Sequence, residues 1–355
     1  MDARPLLGIS AGDPAGIGPE VTVKALALDA TYRIARPLVV CDRRVVDDAV
    51  RFCRLPLATR AVGSPQDGQY EHGVVDVLDL PNVDRDRFAY NTVAAMTGAA
   101  AFAYIERVIR LALRKEIAAT VTGPIHKQAL RLAGHAYAGH TEIYADLTGT
   151  RDYAMMLADG DFRVVHVSTH VSLREACDRV KRARVLRVIE LADDACRKLG
   201  VARPRIAVGA LNPHAGEGGL FGREEIEEIA PAIEEACSRG ICAEGPVPSD
   251  TVFSKMRGGL YDVVVAMYHD QGHIPTKLAG LQYDRATDTW TSVSGVNVTL
   301  GLPVIRTSVD HGVAFDRAGQ GRANPESMIQ AIQLAARLAA HPGRQRASRP
   351  PAGTA

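Results

Sequence analysis

Two signatures that a glycine-rich start would normally announce are missing from this chain. The stretch "GDPAGIGPE", Gly12 to Glu20, follows a short apolar run, but Pro19 and Glu20 stand where a P-loop would place Lys and Ser/Thr. Its glycines, Gly12, Gly16 and Gly18, do not keep the G-x-G-x-x-G order of the dinucleotide fingerprint either. Cysteine is sparse. The six present (Cys41, Cys53, Cys177, Cys196, Cys237, Cys242) form no C-x-x-C pair, which speaks against a zinc knuckle or a disulfide framework. Charge of one sign is not in excess: the net is +1, so no general attraction to nucleic acid or to an anionic membrane surface is expected. No apolar run approaches the roughly 20 residues of a membrane span. The opening "MDARPLLGIS" has no signal-peptide h-region or cleavage site. These absences predict a soluble, cytoplasmic protein with reduced thiols.

What is present is α/β. A chain of 355 residues with 46% hydrophobic and 23% charged residues can bury two domains or one large α/β unit. Apolar runs that are continuous rather than alternating, as in strands covered on both faces, occur at "PLLGIS", "PLVVC", "AATVTG", "RVVHVST", "RIAVGAL", "DVVVAMY" and "PVIRTS". Helical periodicity marks Pro19–Leu28, Asn91–Lys115, Ala183–Leu199, Arg223–Arg239 and Pro325–Ala339. The polar stretch "QYDRATDTWTSVSG" reads as a surface hairpin or flap, and the tail from residue 343 to 355 as disordered.

Histidine carries the chemistry. His170, His214 and His269 each follow an apolar strand candidate, and ligands of an open parallel sheet bind at the carboxyl ends of its strands. Any one of them alone is more often a structural residue bonded to a carbonyl; three arriving at one edge could hold a catalytic divalent metal. A second set is cationic and polar: His126 and Lys127, His140 and Thr141, Lys277, Asn297 and Arg306. These are the donors that a phosphate or carboxylate needs, and an apolar strand leads into Arg306, which leaves it few places to point except a site. A third segment, Asp310 to Pro325, is rich in Gly, Asn and Asp just before a helix, a loop suited to close contact with a nucleotide.

These pieces resemble known enzymes. "GDPAGIGPE" is similar to the G-D-G-I-G-P-E loop of isocitrate and isopropylmalate dehydrogenases, with two residues inserted, and "HGVAFDRAGQGRANP" to their adenosine-binding loop. "TGPIHK", "GHTE", "STH", "LNPHAGEGGLFGREE", "YHDQGHIPTK" and "GVNVTLGLPVIRTSVDHG" narrow the resemblance to the 4-hydroxythreonine-4-phosphate dehydrogenase family, along the chain to about Ala339. The resemblance implies a two-domain isocitrate/isopropylmalate dehydrogenase-like α/β fold with the active site in the cleft between domains. It suggests one domain from residues 1–128 and 301–342 and a second from 129–300. It implies a divalent metal (zinc, magnesium, manganese or cobalt) on His170, His214 and His269, at the interface of a homodimer. Substrate would be held by His140, Thr141, Lys277, Asn297 and Arg306, and NAD or NADP by His311, Gly312, Asp316 and Asn324.

The expected reaction is oxidation, with decarboxylation, of a 4-phosphorylated hydroxy acid: 4-hydroxythreonine 4-phosphate, or threonate or erythronate 4-phosphate. Asp270, beside a metal ligand, is the candidate for orienting it or taking a proton. The family's vitamin B6 enzyme runs short where this chain carries residues 281–294, and the "HDQGHIPTKL" wording resembles relatives acting on four-carbon sugar-acid phosphates. Two other readings are a dehydrogenase of terephthalate-type cis-dihydrodiol carboxylates and a non-catalytic metabolite-binding relic.

Overall fold

In the computed structural model, which describes residues 2–286 and 289–341, fourteen strands and their intervening helices form one continuous α/β chain. The strands are β1 (Leu6–Ser10), β2 (Arg36–Cys41), β3 (Ala58–Val62), β4 (Val74–Asp79), β5 (Ala119–Thr122), β6 (Ala154–Asp159) and β7 (Phe162–His166). After them come β8 (Ile206–Gly209), β9 (Ala243–Val247), β10 (Val263–Ala266), β11 (Leu281–Asp284), β12 (Thr289–Val293), β13 (Val296–Leu300) and β14 (Arg306–Val309). Twelve of them build a single sheet in the order β3-β4-β2-β1-β5-β14-β13-β6-β7-β10-β8-β9.

The direction of pairing divides that sheet. From β3 to β14 every pair is parallel, and from β7 to β9 again. Between them, β13 runs antiparallel to both β14 and β6, and β6 runs antiparallel to β7. Helices cover both faces, so the parallel strands are buried on both sides, as their unbroken runs of Val, Ile, Leu and Ala require. All seven strands expected from sequence are present. The "QYDRATDTWTSVSG" stretch contains the predicted hairpin, β11 paired antiparallel with β12. The tail from residue 343, expected to be disordered, lies outside the described residues.

The opening glycine loop is closely packed against the rest of the chain. From Leu6 through Val23 every residue is buried. A Cβ on Gly12, whose φ is +82°, would stand 2.2 Å from the carbonyl oxygen of Pro124, and one on Gly18 would stand 2.0 Å from that of Ala11. The glycines therefore let the loop fold tightly on itself and against the Gly123–Pro124 turn. The segment is also knitted to the chain's far end. Ile17 N–H donates to Val313 O at 3.0 Å, and Glu20 Oε1 accepts from Ala323 N at 2.5 Å and from Lys24 Nζ at 2.8 Å. Lys24 Nζ in turn donates to the carbonyls of Gly321 and Ala323. The two motifs that resemble the dehydrogenase loops are thus a single structure in space.

Candidate active site

Arg306 opens β14 at the seam of the sheet and is 2% exposed. Its neighbours β13 and β5 present polar side chains toward it. Nη1 donates to Asn297 Oδ1 at 3.2 Å and to Thr299 Oγ1 at 3.0 Å, while Nη2 donates to Thr122 Oγ1 at 3.1 Å. The guanidinium also lies 5.7 Å over the ring of Tyr144. Among the described residues no carboxylate pairs with it, and its Nε is sealed from solvent without a partner. Burial pulls its pKa down to about 10, which still leaves it charged at neutral pH. A buried cation whose partners are all neutral lacks one anion.

The helix His140–Leu147 sits against this pocket. Thr141 Oγ1 is 3.4 Å from Thr299 Oγ1, which ties the helix start to the acceptors of Arg306. His140 Nε2 is buried with no partner. Burial, and then the charge of Arg306, keeps this imidazole neutral, with its pKa far below the ordinary value. His140, Thr141, Asn297 and Arg306 are therefore brought together as expected. Lys277 is placed apart from this set: its Nζ is bonded to the carboxylate and, at 2.7 Å, to the carbonyl of Asp310.

That ion pair borders a cavity of about 790 Å³. Its walls include His311, Gly312, Asp316 and Asn324, all four expected cofactor residues, with Ile17 from the opening glycine loop. Leu281 and Val293 also line it, so the hairpin of residues 281–294 borders this cavity. The hairpin is fastened by Ser292 Oγ and Val293 N, both 3.2 Å from Glu326 Oε2. His311 donates from Nδ1 to Gly312 O at 2.9 Å, leaving Nε2 buried and unpartnered, while burial lowers its pKa. An apolar wall, a free acceptor and the acid Asp316 suit a dinucleotide.

The three histidines lie beyond the carboxyl ends of β7, β8 and β10, which are side by side in the sheet: His170 and His214 in turns, and His269 as the first residue of the helix His269–Gly280. His170 and His269 face each other with ring centroids 5.9 Å apart and share a cavity of about 500 Å³ with Asp270. Asp270 Oδ1 is 2.6 Å from His269 Nδ1. This contact orients the ring and leaves its other nitrogen free. Glu142 Oε1 lies 3.6 Å from His170 Nδ1. His214 stands apart, on an exposed turn where His214, Ala215, Gly216, Glu217 and Gly218 all have positive φ. Glu225 holds the base of that turn through Leu211 N and Asn212 N at 2.8 and 2.7 Å. Among the described residues no group of three His, Cys, Asp or Glu is placed to hold a metal. One chain thus brings two of the three donors together and presents the third elsewhere.

Several residues at the site were not singled out by sequence. Glu142 follows the expected pair His140 and Thr141, and nothing in its position foretold that it would meet His170. His273 stacks on His269 with centroids 3.6 Å apart and rests 4.7 Å from His166. Burial lowers the pKa of His273 to about 4, with His269 adding to the effect, and burial takes that of His166 to about 3, with His273 adding. His126, by contrast, serves as a helix cap: its Nδ1 accepts from Ala129 N at 3.3 Å, and its ring stacks on Phe315.

A continuous α/β sheet with an antiparallel seam that carries the buried Arg306 is the fold of a dehydrogenase of the isocitrate/isopropylmalate type. The family follows from comparison with known proteins. The model of the pyridoxal phosphate biosynthetic protein PdxA matches residues 33–335, and the chain belongs to that family. It is 45% identical to the D-threonate 4-phosphate dehydrogenase of Cupriavidus necator, over 95% of this chain and 98% of that one. Among solved structures, 4-hydroxythreonine-4-phosphate dehydrogenase from Klebsiella pneumoniae superposes with a TM-score of 0.83 at 44% identity, over 95% of this chain and 98% of that one. A terephthalate 1,2-cis-dihydrodiol dehydrogenase from Burkholderia xenovorans matches with a TM-score of 0.66 at 30% identity, over 94% and 98% of the two chains. Among the described residues no helix is long and apolar enough to cross a membrane.

Proposed function

We propose that this chain oxidises the C3 hydroxyl of a four-carbon acid phosphorylated at C4, with NAD as hydride acceptor, and that the β-keto acid so formed loses carbon dioxide. The observation that carries the reading is the Arg306 pocket. A buried guanidinium with only neutral partners and a sealed His140 Nε2 together call for an anion that can also donate or accept hydrogen bonds. A phosphate meets that need. The relatives named for D-threonate 4-phosphate and 4-hydroxythreonine 4-phosphate act on acids that carry one.

His140, Thr141, Asn297 and Arg306 hold the phosphate. Lys277, at the rim of the cofactor cavity, supplies a second cation and fixes which carbon faces the nicotinamide. The cofactor, held by His311, Gly312, Asp316 and Asn324, supplies the hydride acceptor. Asp316 favours NAD, since an acid there can bond a ribose hydroxyl and repels a 2′-phosphate. His170 and His269 of one chain, with His214 of a second copy, would hold a divalent cation. Lewis acidity toward the substrate hydroxyl comes from that cation. Asp270 sets the orientation of the His269 ring. The domain border belongs to the same proposal: divided at 128/129 and 300/301, the chain changes domain between β13 and β14, so the substrate spans the border.

The test is NAD(P)H formation with added divalent metal on threonate, erythronate and hydroxythreonine 4-phosphates and on a terephthalate-type cis-dihydrodiol. Turnover of a phosphorylated acid is expected. Turnover of the dihydrodiol alone would make the Arg306 pocket a carboxylate site and refute the phosphate reading.

A further inference from the structure

We propose that His273 reads the substrate directly, its Nε2 accepting a hydrogen bond from the hydroxyl at C2 of the four-carbon acid. The inference rests on the function proposed above. Its starting point is the helix His269–Gly280, where His269, His273 and Lys277 recur at four-residue spacing and so lie along one face. That face runs from the histidine pair at one end to the Lys277–Asp310 ion pair at the cofactor cavity. His273 is the residue midway, opposite whatever part of the substrate joins the two.

Its ring has little freedom. One face stacks on His269 with planes 10° apart and centroids at 3.6 Å. His166 lies at 4.7 Å, and the helix can approach it so closely because a Cβ on Gly272 would stand 2.3 Å from His166 Nε2. The remaining rotation is fixed by a bond 3.0 Å long between His273 Nδ1 and the carbonyl of His269. A carbonyl only accepts, so the proton is on Nδ1, and in the neutral ring Nε2 is a bare lone pair. No hydrogen bond joins Nε2 to another of the described residues, and the atom is open to solvent rather than sealed. A fixed acceptor that faces solvent can exchange its water for a substrate hydroxyl.

Its selectivity is the reverse of the neighbouring cations. Lys277 and Arg306 attract phosphate and carboxylate oxygens, whereas a bare imidazole nitrogen repels them and takes a hydroxyl hydrogen. Together they orient a hydroxy acid: charged ends toward the cations, hydroxyl-bearing middle toward His273.

The experiment pairs one residue with one substrate group. Wild type and His273→Phe, which keeps a flat ring and loses the acceptor, are assayed on threonate 4-phosphate and on 3-hydroxybutanoate 4-phosphate, which lacks only the C2 hydroxyl. In wild type, removing the hydroxyl is expected to lower kcat/KM roughly 10- to 100-fold. In His273→Phe the parent substrate should lose a similar factor, and removing the hydroxyl should then change nothing more. If the two losses multiply instead, or if the variant loses nothing on the parent, His273 is structural and the proposal is overturned. NADH binding followed by fluorescence, unchanged in the variant, checks that the cofactor cavity survives, and His273→Gln, which restores an acceptor, should recover part of the loss on the parent only. Should wild type turn over no phosphorylated acid, the function itself fails along with this inference, a result distinct from either outcome above.

Discussion

The anion pocket and the histidine set lie at the same edge of one sheet, yet they are built on opposite plans. Arg306, Asn297, Thr299 and Thr122 stand on three adjacent strands, where ladder hydrogen bonds fix each Cα, and the pocket is complete and buried within a single chain. His170, His214 and His269 stand beyond the strands. Two of them share a half-exposed recess, and the third rides an outlying left-handed turn. Under the proposed function the difference separates two tasks. Recognising a phosphate needs donors that do not move, since any reorganisation would be charged against binding. Holding an exchangeable cation needs donors that can be completed from outside.

The comparison can be broken at its strongest point first. Arg306→Met should lower kcat/KM by about 1,000-fold or more, because a charge-assisted contact is lost from a dry site. The same change should leave the melting temperature of the unliganded protein equal or higher, since it removes a buried cation that no acid balances. A variant that merely unfolds would show that the pocket is a structural element. Excess inorganic phosphate should raise the melting temperature of wild type and not of this variant.

The next largest effect concerns the histidines. His170→Ala and His214→Ala should each be nearly inactive. Mixed as unfolded chains and refolded together, they should recover about a quarter of wild-type turnover if the proposed dimer shares its sites, because half the dimers would be mixed and each mixed dimer would have one intact site. No recovery would place all three ligands in one chain.

The smallest effect contrasts Arg306 with a buried charge that has no part in either site. Asp13 is 1% exposed, and burial raises its carboxyl from 3.8 to about 6. The folded chain therefore keeps this proton over a pH range in which the unfolded chain has lost it. Stability falls as pH rises through that window, and the full penalty, about 3 kcal/mol, is present above pH 6. Asp13→Asn should accordingly melt higher than wild type at pH 8 and equally at pH 3.5. An equal gain at both would assign the effect to packing rather than to charge.

Sequence reached the fold by two routes of unequal reach. Strands such as β1 and β10, covered on both faces, announce themselves as unbroken apolar runs. β3 (ATRAV) lies at an exposed edge, β4 and β6 are interrupted by aspartate or end on it, and β9 contains Gly245 and Pro246, so none of these carries that signal. The helix His269–Gly280 was hidden by Gly272 and Pro275. At the site, Arg306 could be read because apolar residues precede it, although it opens β14 instead of ending the strand that was expected to lead into it. The burial of His140, the placement of Glu142 beside His170 and the stacking of His273 depend on how separate elements pack, which no local pattern records. The glycines of the opening loop were visible, but the Gly123–Pro124 turn that explains them lies far along the chain.

The position of β14 ties the site to the order of synthesis. This strand lies between β5 and β13, and the helix Glu326–Ala340 that follows it packs Met328, Ala331 and Ile332 into the core shared with β1 and β2. The amino-terminal half of the sheet therefore cannot finish folding while the ribosome is still making the last tenth of the chain, and until β14 arrives β5 is an open edge. Arg306 arrives with the strand that closes the edge. The chain thus never has to bury the Arg306 guanidinium in a half-built protein, and a nascent chain stalled before residue 306 would have neither a closed sheet nor the Arg306 pocket.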